Sequence, residues 1–231
     1  MSSTAQPASL PFSATDPVFA RQKMSLTILA ACVLAVFVWS AIRPHDYFTW
    51  FLEVVPAILG IGILIVTYRR FQFTTLVYFL VSIHAAILMI GGHYTYAEMP
   101  LFNWIRDAFH LSRNHYDRLG HFTQGFVPAI ITREFLLRTT PLKRSKTLNF
   151  LVLCVCEAFS ALYELFEWRT AVAFGASAAA FLGGQGDPWD TQWDMTFCLF
   201  GASAALLTLS RLHDRYLAQI LSAEVRTGGS S

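Results

Sequence analysis

The chain has 231 residues, 55% of them hydrophobic and only 14% charged, whereas soluble domains carry about 25% charged residues. A formal net charge of +2 leaves no basic surplus to hold a nucleic acid. Long apolar runs set the class: an all-α polytopic bundle whose principal partner is the lipid bilayer.

In chain order, residues 1–23 hold several Ser, Thr, Ala and Pro and are expected to form a disordered cytoplasmic tail. No small-residue cleavage site follows the first apolar run, so that run reads as a span and not as a signal peptide. Five spans follow from length and composition, over residues 25–42, 51–68, 74–91, 148–168 and 195–212. A sixth, over residues 119–137, is interrupted by Gln124, Pro128, Arg133 and Glu134. Charge distribution requires it. With six spans only Arg43, Arg106, Arg113, Arg118 and Arg169 fall outside and the other Lys and Arg residues inside, as the positive-inside rule expects. Without it, Lys143, Arg144 and Lys146 would lie outside. The expected organisation is a membrane domain over residues 24–216, a second cytoplasmic tail over residues 217–231, and both termini in the cytoplasm.

Two outer segments are longer than turns. Residues 100–111 place Leu101, Phe102 and Ile105 on one face and Asn103, Arg106 and Asp107 on the other, the pattern of an interfacial amphipathic helix. Residues 171–182 are apolar but too short to cross, which predicts a re-entrant or surface-lying helix. The four cysteines all sit in apolar runs, without the spacing of a disulfide framework or a metal knuckle, and read as packing residues.

The chemistry-bearing residues share a depth. His93 ends the third span, Asp117 and His121 begin the fourth, Glu164 and Glu167 end the fifth, and Asp187, Asp190 and Asp194 lead into the sixth. Asp117 and His121 stand i,i+4 on one helix face, as do Asp190 and Asp194. Carboxylates collected at one depth repel unless a cation joins them or some are protonated. A divalent metal of the Zn, Mn or Fe class is one such cation, with His93, His121, Asp190 and Asp194 as expected ligands. His121, Asp117 and Glu164 are the expected catalytic group, and Arg118, Arg169 and Glu167 the expected substrate-binding group, the arginines for a lipid phosphate. His84 reads as a hydrogen-bonded core histidine, His45, His110 and His213 as interfacial, and Arg133 with Glu134 as an ion pair.

The blocks His115-Tyr-Asp-Arg-Leu-Gly-His-Phe122, Tyr163-Glu-Leu-Phe-Glu-Trp-Arg169 and Gly186-Asp-Pro-Trp-Asp-Thr-Gln-Trp-Asp-Met195 resemble the YjdF-type bacterial inner-membrane family, whose function is unknown. The resemblance runs from about residue 25 to residue 216 and implies a multi-pass protein of the bacterial plasma membrane. A more distant likeness, over the last three spans, is to VanZ-like proteins: Asp117, His121 and Phe122 match one block, Glu164 or Glu167 the next, Asp190 and Asp194 the last, with Arg118 where that family has lysine. It implies a link to the cell envelope. The functional expectation is an outer-face site acting on a lipid or envelope substrate. The alternatives are a small proton-coupled transporter using Glu157 at mid-depth, and a non-catalytic scaffold whose buried ion pairs fix helix packing.

Overall fold

A computed structural model describes residues 16–175 and 181–228. Among them every regular element is helical: α1 (Pro17–Ala41), α2 (Tyr47–Thr67), α3 (Thr75–Tyr94), a 3₁₀ turn (Tyr96–Glu98), α4 (Pro100–Ala108), α5 (Tyr116–Thr139), α6 (Lys146–Phe174) and α7 (Asp190–Gly228). Five helices, all but α4 and α5, are long and apolar enough to cross a membrane. Their outward faces are apolar, with Val66 80% and Leu207 86% exposed, a surface that only lipid covers at low cost. At 24 residues α5 matches the others in length. Its charged residues Asp117, Arg133 and Glu134 are buried against neighbouring helices.

The most extensive helix pair is α5 with α7. Glycines make it close: a Cβ on Gly125 would strike the Cys198 carbonyl, and one on Gly201 the Phe122 carbonyl. Small residues at a crossing let backbones approach this way. Around that crossing Val77, Val127, Ile130, Val152, Cys156 and Cys198 form the main core. Cys156 and Cys198 are buried and donate weakly to the carbonyls of Gly125 and Cys156, while Cys32 and Cys154 are exposed. The remaining order is simple. α2 lies on α3, α3 on α1 and α5, and α6 on α5 and α7.

Two expectations about the tails are corrected. α1 begins at Pro17, because the Asp16 carboxylate accepts from the Val18 N–H at 2.8 Å and proline suits the first helical turn. Only residues 1–15 of the expected N-terminal tail lie outside the described residues. At the other end α7 does not stop near residue 216. Its 39 residues span about 58 Å at 1.5 Å per residue, twice a hydrocarbon core. The extension is held because Leu217, Ile220 and Ala223 bury against Phe19, and Arg226 pairs with Asp16 at 3.0 Å. The start of α1 and the end of α7 therefore sit at one end of the bundle. Of the segment expected as a re-entrant helix, residues 171–174 instead continue α6, and residues 176–180 lie outside the described residues.

At that terminal end a second polar network is buried. Glu134 accepts from the Thr74 N–H at 2.9 Å, the Thr74 hydroxyl at 2.7 Å, Arg138 at 3.0 Å and His213 Nε2 at 3.0 Å. Arg133 donates to His213 Nδ1 at 2.6 Å and to Asp214 at 2.7 Å. Arg133 and Glu134 are thus not each other's partner. His213 is fully buried instead of interfacial, because an i,i+1 pair points to different sides of α5 and both sides meet α7.

Candidate functional site

The opposite end of the bundle gathers the residues that share a depth in the sequence. Asp117 and His121 project from the first turns of α5, Glu164 and Glu167 from the late turns of α6, and Asp194 from the second turn of α7; all five are buried. His121 is the hub. Its Nε2 lies 3.5 Å from Asp117 Oδ1 and 3.9 Å from Asp194 Oδ2, and its Nδ1 lies 3.7 Å from Glu164 Oε1. None of these is a hydrogen bond by distance. His121 Nδ1, Glu164 Oε1 and Asp194 Oδ1 are buried without a hydrogen-bond partner. Beside them is a cavity of about 50 Å³, room for a few water molecules, lined by His121, Asp117, Tyr163, Glu167, His84 and Pro56 among others.

Arg113, in the loop before α5, organises the rim. It pairs with Asp190, lies 3.5 Å from Asp117 Oδ2 and 3.5 Å from Asp187, and donates to the carbonyls of Gly183 at 3.1 Å and Gly184 at 3.4 Å. Gly183 adopts φ +63°, which turns the chain before α7 so that its carbonyl meets the guanidinium. Burial opposes the charge on Arg113, but the hydrogen bond to Asp190 and the fields of Asp190, Asp117 and Asp194 outweigh it and raise its pKa. Asn114, fully buried, ties the same loop to Met99 and Asn103 beside α4 and exchanges hydrogen bonds with Gln185. His115, preceding α5, is held below the usual histidine range by burial and then by Arg118 and Arg113, so it stays a neutral ring beside them. Replacing Arg113 by alanine would leave Asp117 and Asp190 without their cation, while Asp187 keeps Arg118. The expected loss is about 3–5 kcal/mol of stability, read as a lower unfolding temperature in detergent. Lysine would restore only part of it, lacking the fork that spans two carbonyls and the carboxylates.

The remaining expected residues divide. Arg118 is engaged, 2.8 Å from Asp187 and stacked over Trp193 and Phe197 at 5.2 and 5.7 Å. Arg169 is exposed, and no ion pair among the described residues ties it to the cluster. Asp190 stands at the rim on Arg113, not beside His121. His93 is placed elsewhere: its Nδ1 meets the Ser40 carbonyl at 3.0 Å and its ring lies against Trp39 at 4.4 Å, because its azimuth on α3 faces α1. His84 is hydrogen-bonded, Nδ1 to the Thr123 hydroxyl at 2.9 Å, as a core histidine should be. Two contributors escaped the sequence reading. Glu53 of α2 is buried within electrostatic reach of Asp117 and Tyr96, and a lone carboxylate in an apolar run was the signal for it. Arg113 sits in an irregular loop where no periodicity marks it.

The fold and this cluster define a multi-pass helical membrane protein with a polar site at one end of its bundle. Residues 25–215 match the family described as "Predicted membrane protein (DUF2238)". The chain belongs to that family. It is 46% identical over 192 residues, 83% of this chain and 92% of the relative, to the inner membrane protein YjdF of Escherichia coli (strain K12), and is itself an inner-membrane protein. No solved structure matches it.

Proposed function

We propose that the chain crosses the inner membrane six times, with both termini in the cytoplasm, and acts on a lipid or other envelope substrate at the outer face through His121, Asp117 and Glu164. The topology rests on the positive-inside distribution of Lys and Arg, on α5 having the length of a span, and on the pairing of the two helix termini at one end. The single observation that carries the function is the contrast between the two buried polar clusters. At the terminal end every carboxylate oxygen of Glu134 and both ring nitrogens of His213 are hydrogen-bonded, as a packing device requires. At the site end His121 Nδ1, Glu164 Oε1 and Asp194 Oδ1 are buried without a hydrogen-bond partner, and His121 lines a cavity. The terminal network leaves Arg133 Nε without a partner, but its carboxylate and imidazole are satisfied, whereas the unpaired atoms at the site end are on two carboxylates and an imidazole, the groups that receive a ligand.

Access favours a substrate from the bilayer. Helices α2, α3, α5 and α6 all line the cavity, and each packs extensively on the next except α6 on α2. There the rings of Phe48 and Phe174 meet at 5.1 Å at the site end, and Pro56 interrupts the α2 hydrogen-bond ladder beside the cavity. Arg169, exposed on the same helix, would pair with a lipid phosphate. The test is lipid and envelope-precursor profiling, by mass spectrometry, of a strain deleted for the gene and complemented with wild type or His121→Ala at equal membrane abundance. A species that accumulates in the deletion should clear with wild type and persist with His121→Ala. Full clearance by the variant would sink the proposal.

A further inference from the structure

We propose that Asp117, His121 and Asp194 bind one divalent first-row transition ion, of the Zn, Mn or Fe class, with Glu164 as the carboxylate behind the imidazole. One ligand atom each of Asp117, His121 and Asp194 lies within 4.8 Å of the others, and His121 Nε2 stands 3.5 Å from Asp117 Oδ1 and 3.9 Å from Asp194 Oδ2. These separations exceed a hydrogen bond. They are close to the edges of a coordination polyhedron, since ligand atoms about 2.1 Å from a shared ion stand roughly 3.0–3.5 Å apart.

Burial supplies an independent sign of a missing partner. His121 and Asp194, 3% and 1% exposed, each keep a second polar atom, Nδ1 and Oδ1, with no hydrogen bond, so neither buried side chain is satisfied by the protein around it. The nearby cations are already committed: Arg113 takes Asp190 and the outer oxygen of Asp117, leaving Oδ1 toward His121, and Arg118 takes Asp187. Glu164 Oε1 lies 3.7 Å from Nδ1, longer than a hydrogen bond, on the side from which a carboxylate would accept the Nδ1–H of a ligating imidazole once an ion draws the ring into place. Two carboxylates and one imidazole select a borderline or hard ion over a thiophilic one. The nearest thiol, Cys198, lies one turn further along α7 with its S–H on the Cys156 carbonyl. Three protein ligands leave coordination positions free for water or substrate, and a bound ion would supply a Lewis acid to the chemistry proposed above. The inference deepens that reading by naming its cofactor, yet its test needs no substrate.

The experiment is elemental analysis for Zn, Mn and Fe of the full-length protein purified in detergent without chelators, beside Asp194→Asn, His121→Ala, Glu164→Gln and His93→Ala. Wild type and His93→Ala should carry close to one ion per chain; Asp194→Asn and His121→Ala should lose it. Glu164→Gln should bind about 10–100-fold more weakly. Asp194→Asn is nearly isosteric and carries the test if His121→Ala does not fold. Chelator-treated wild type should regain unfolding temperature on adding the ion and the aspartate variant should not. A folded wild type with no metal and no such response, or a variant Asp194→Asn that keeps its metal, overturns the inference. Metal absent while His121→Ala still alters the lipid profile removes the ion alone; metal present with an unaltered profile removes the enzyme reading alone.

Discussion

Gly125→Val is expected to be the most damaging single substitution in the apolar core. Its new Cβ meets the Cys198 carbonyl, an atom of the α7 backbone, so no side chain can rotate out of the way. Relief requires α5 and α7 to separate, and the separation is not local. Gly201 of α7 makes the reciprocal approach to the Phe122 carbonyl, and beside the crossing Cys156 of α6 donates to the Gly125 carbonyl and Cys198 of α7 to the Cys156 carbonyl, so α6 is tied to both helices there. Overpacking a close interface costs about 3 kcal/mol or more when the backbone must move. The effect also reaches the site, because His121 is one helical turn from Gly125 and Asp194 one turn from Cys198. Detergent-solubilised Gly125→Val should therefore unfold at a much lower temperature and yield little monodisperse protein. Gly60→Ala, at a position with open space around it, should not. Equal stability of Gly125→Val and wild type would show that the two helices are less closely apposed.

The sequence made the helices legible wherever apolar residues run uninterrupted, and it went astray where a helix is held by something distant. Phe19 and Gln22 sit in a polar segment whose helical state depends on partners elsewhere, namely the last turns of α7 and the Phe73 carbonyl. The spacing of Leu217, Ile220 and Ala223 did carry the helical period of the α7 extension, but it follows a cluster of charges that reads as an exit from the membrane. Depth along a helix is legible, since counting residues from a span's end fixes height, and it brought Asp117, His121, Glu164 and Asp194 together correctly. Azimuth is legible only where two residues share a helix. His93 has the right height on the wrong side of α3; His84, nine residues earlier and so on the opposite face, is the one that lines the cavity. Glu53 was the converse, a single acid on α2 whose facing is set by packing on α3. Arg113 depends on loop geometry after α4 and before α7, which neither periodicity specifies.

Glu134→Ala should cost about 3–5 kcal/mol of stability, the range for removing one partner from a buried ion-pair network. The argument rests on what the carboxylate holds together. Oε1 accepts from the Thr74 N–H and Arg138, and Oε2 from the Thr74 hydroxyl and His213. Thr74 precedes α3, Arg138 is a turn away on α5, and His213 lies on α7, so one residue joins three helices. Arg138 extends the network to Glu224 and to the face of Phe71 at 4.1 Å. The histidine's state follows from its neighbours. Arg133 has only hydrogens to offer Nδ1, so Nδ1 accepts and the Nε2–H donates to Glu134. Alanine at 134 leaves the Thr74 N–H, the His213 N–H and part of the Arg138 guanidinium buried without acceptors. Glutamine keeps the shape but offers one acceptor oxygen in place of two and points an N–H₂ at donors, so it should recover only a minority of the loss. His213→Ala should cost less than Glu134→Ala, because Arg133 retains Asp214 at 2.7 Å. Thermal unfolding of the three variants in one detergent checks the order. Because this anchor is at the terminal end, folded fractions of Glu134→Gln should keep the metal content of wild type. An anchor variant that sheds the ion while remaining folded would mean that the two ends of α5 are coupled, and that the terminal network regulates the site instead of only holding the helices.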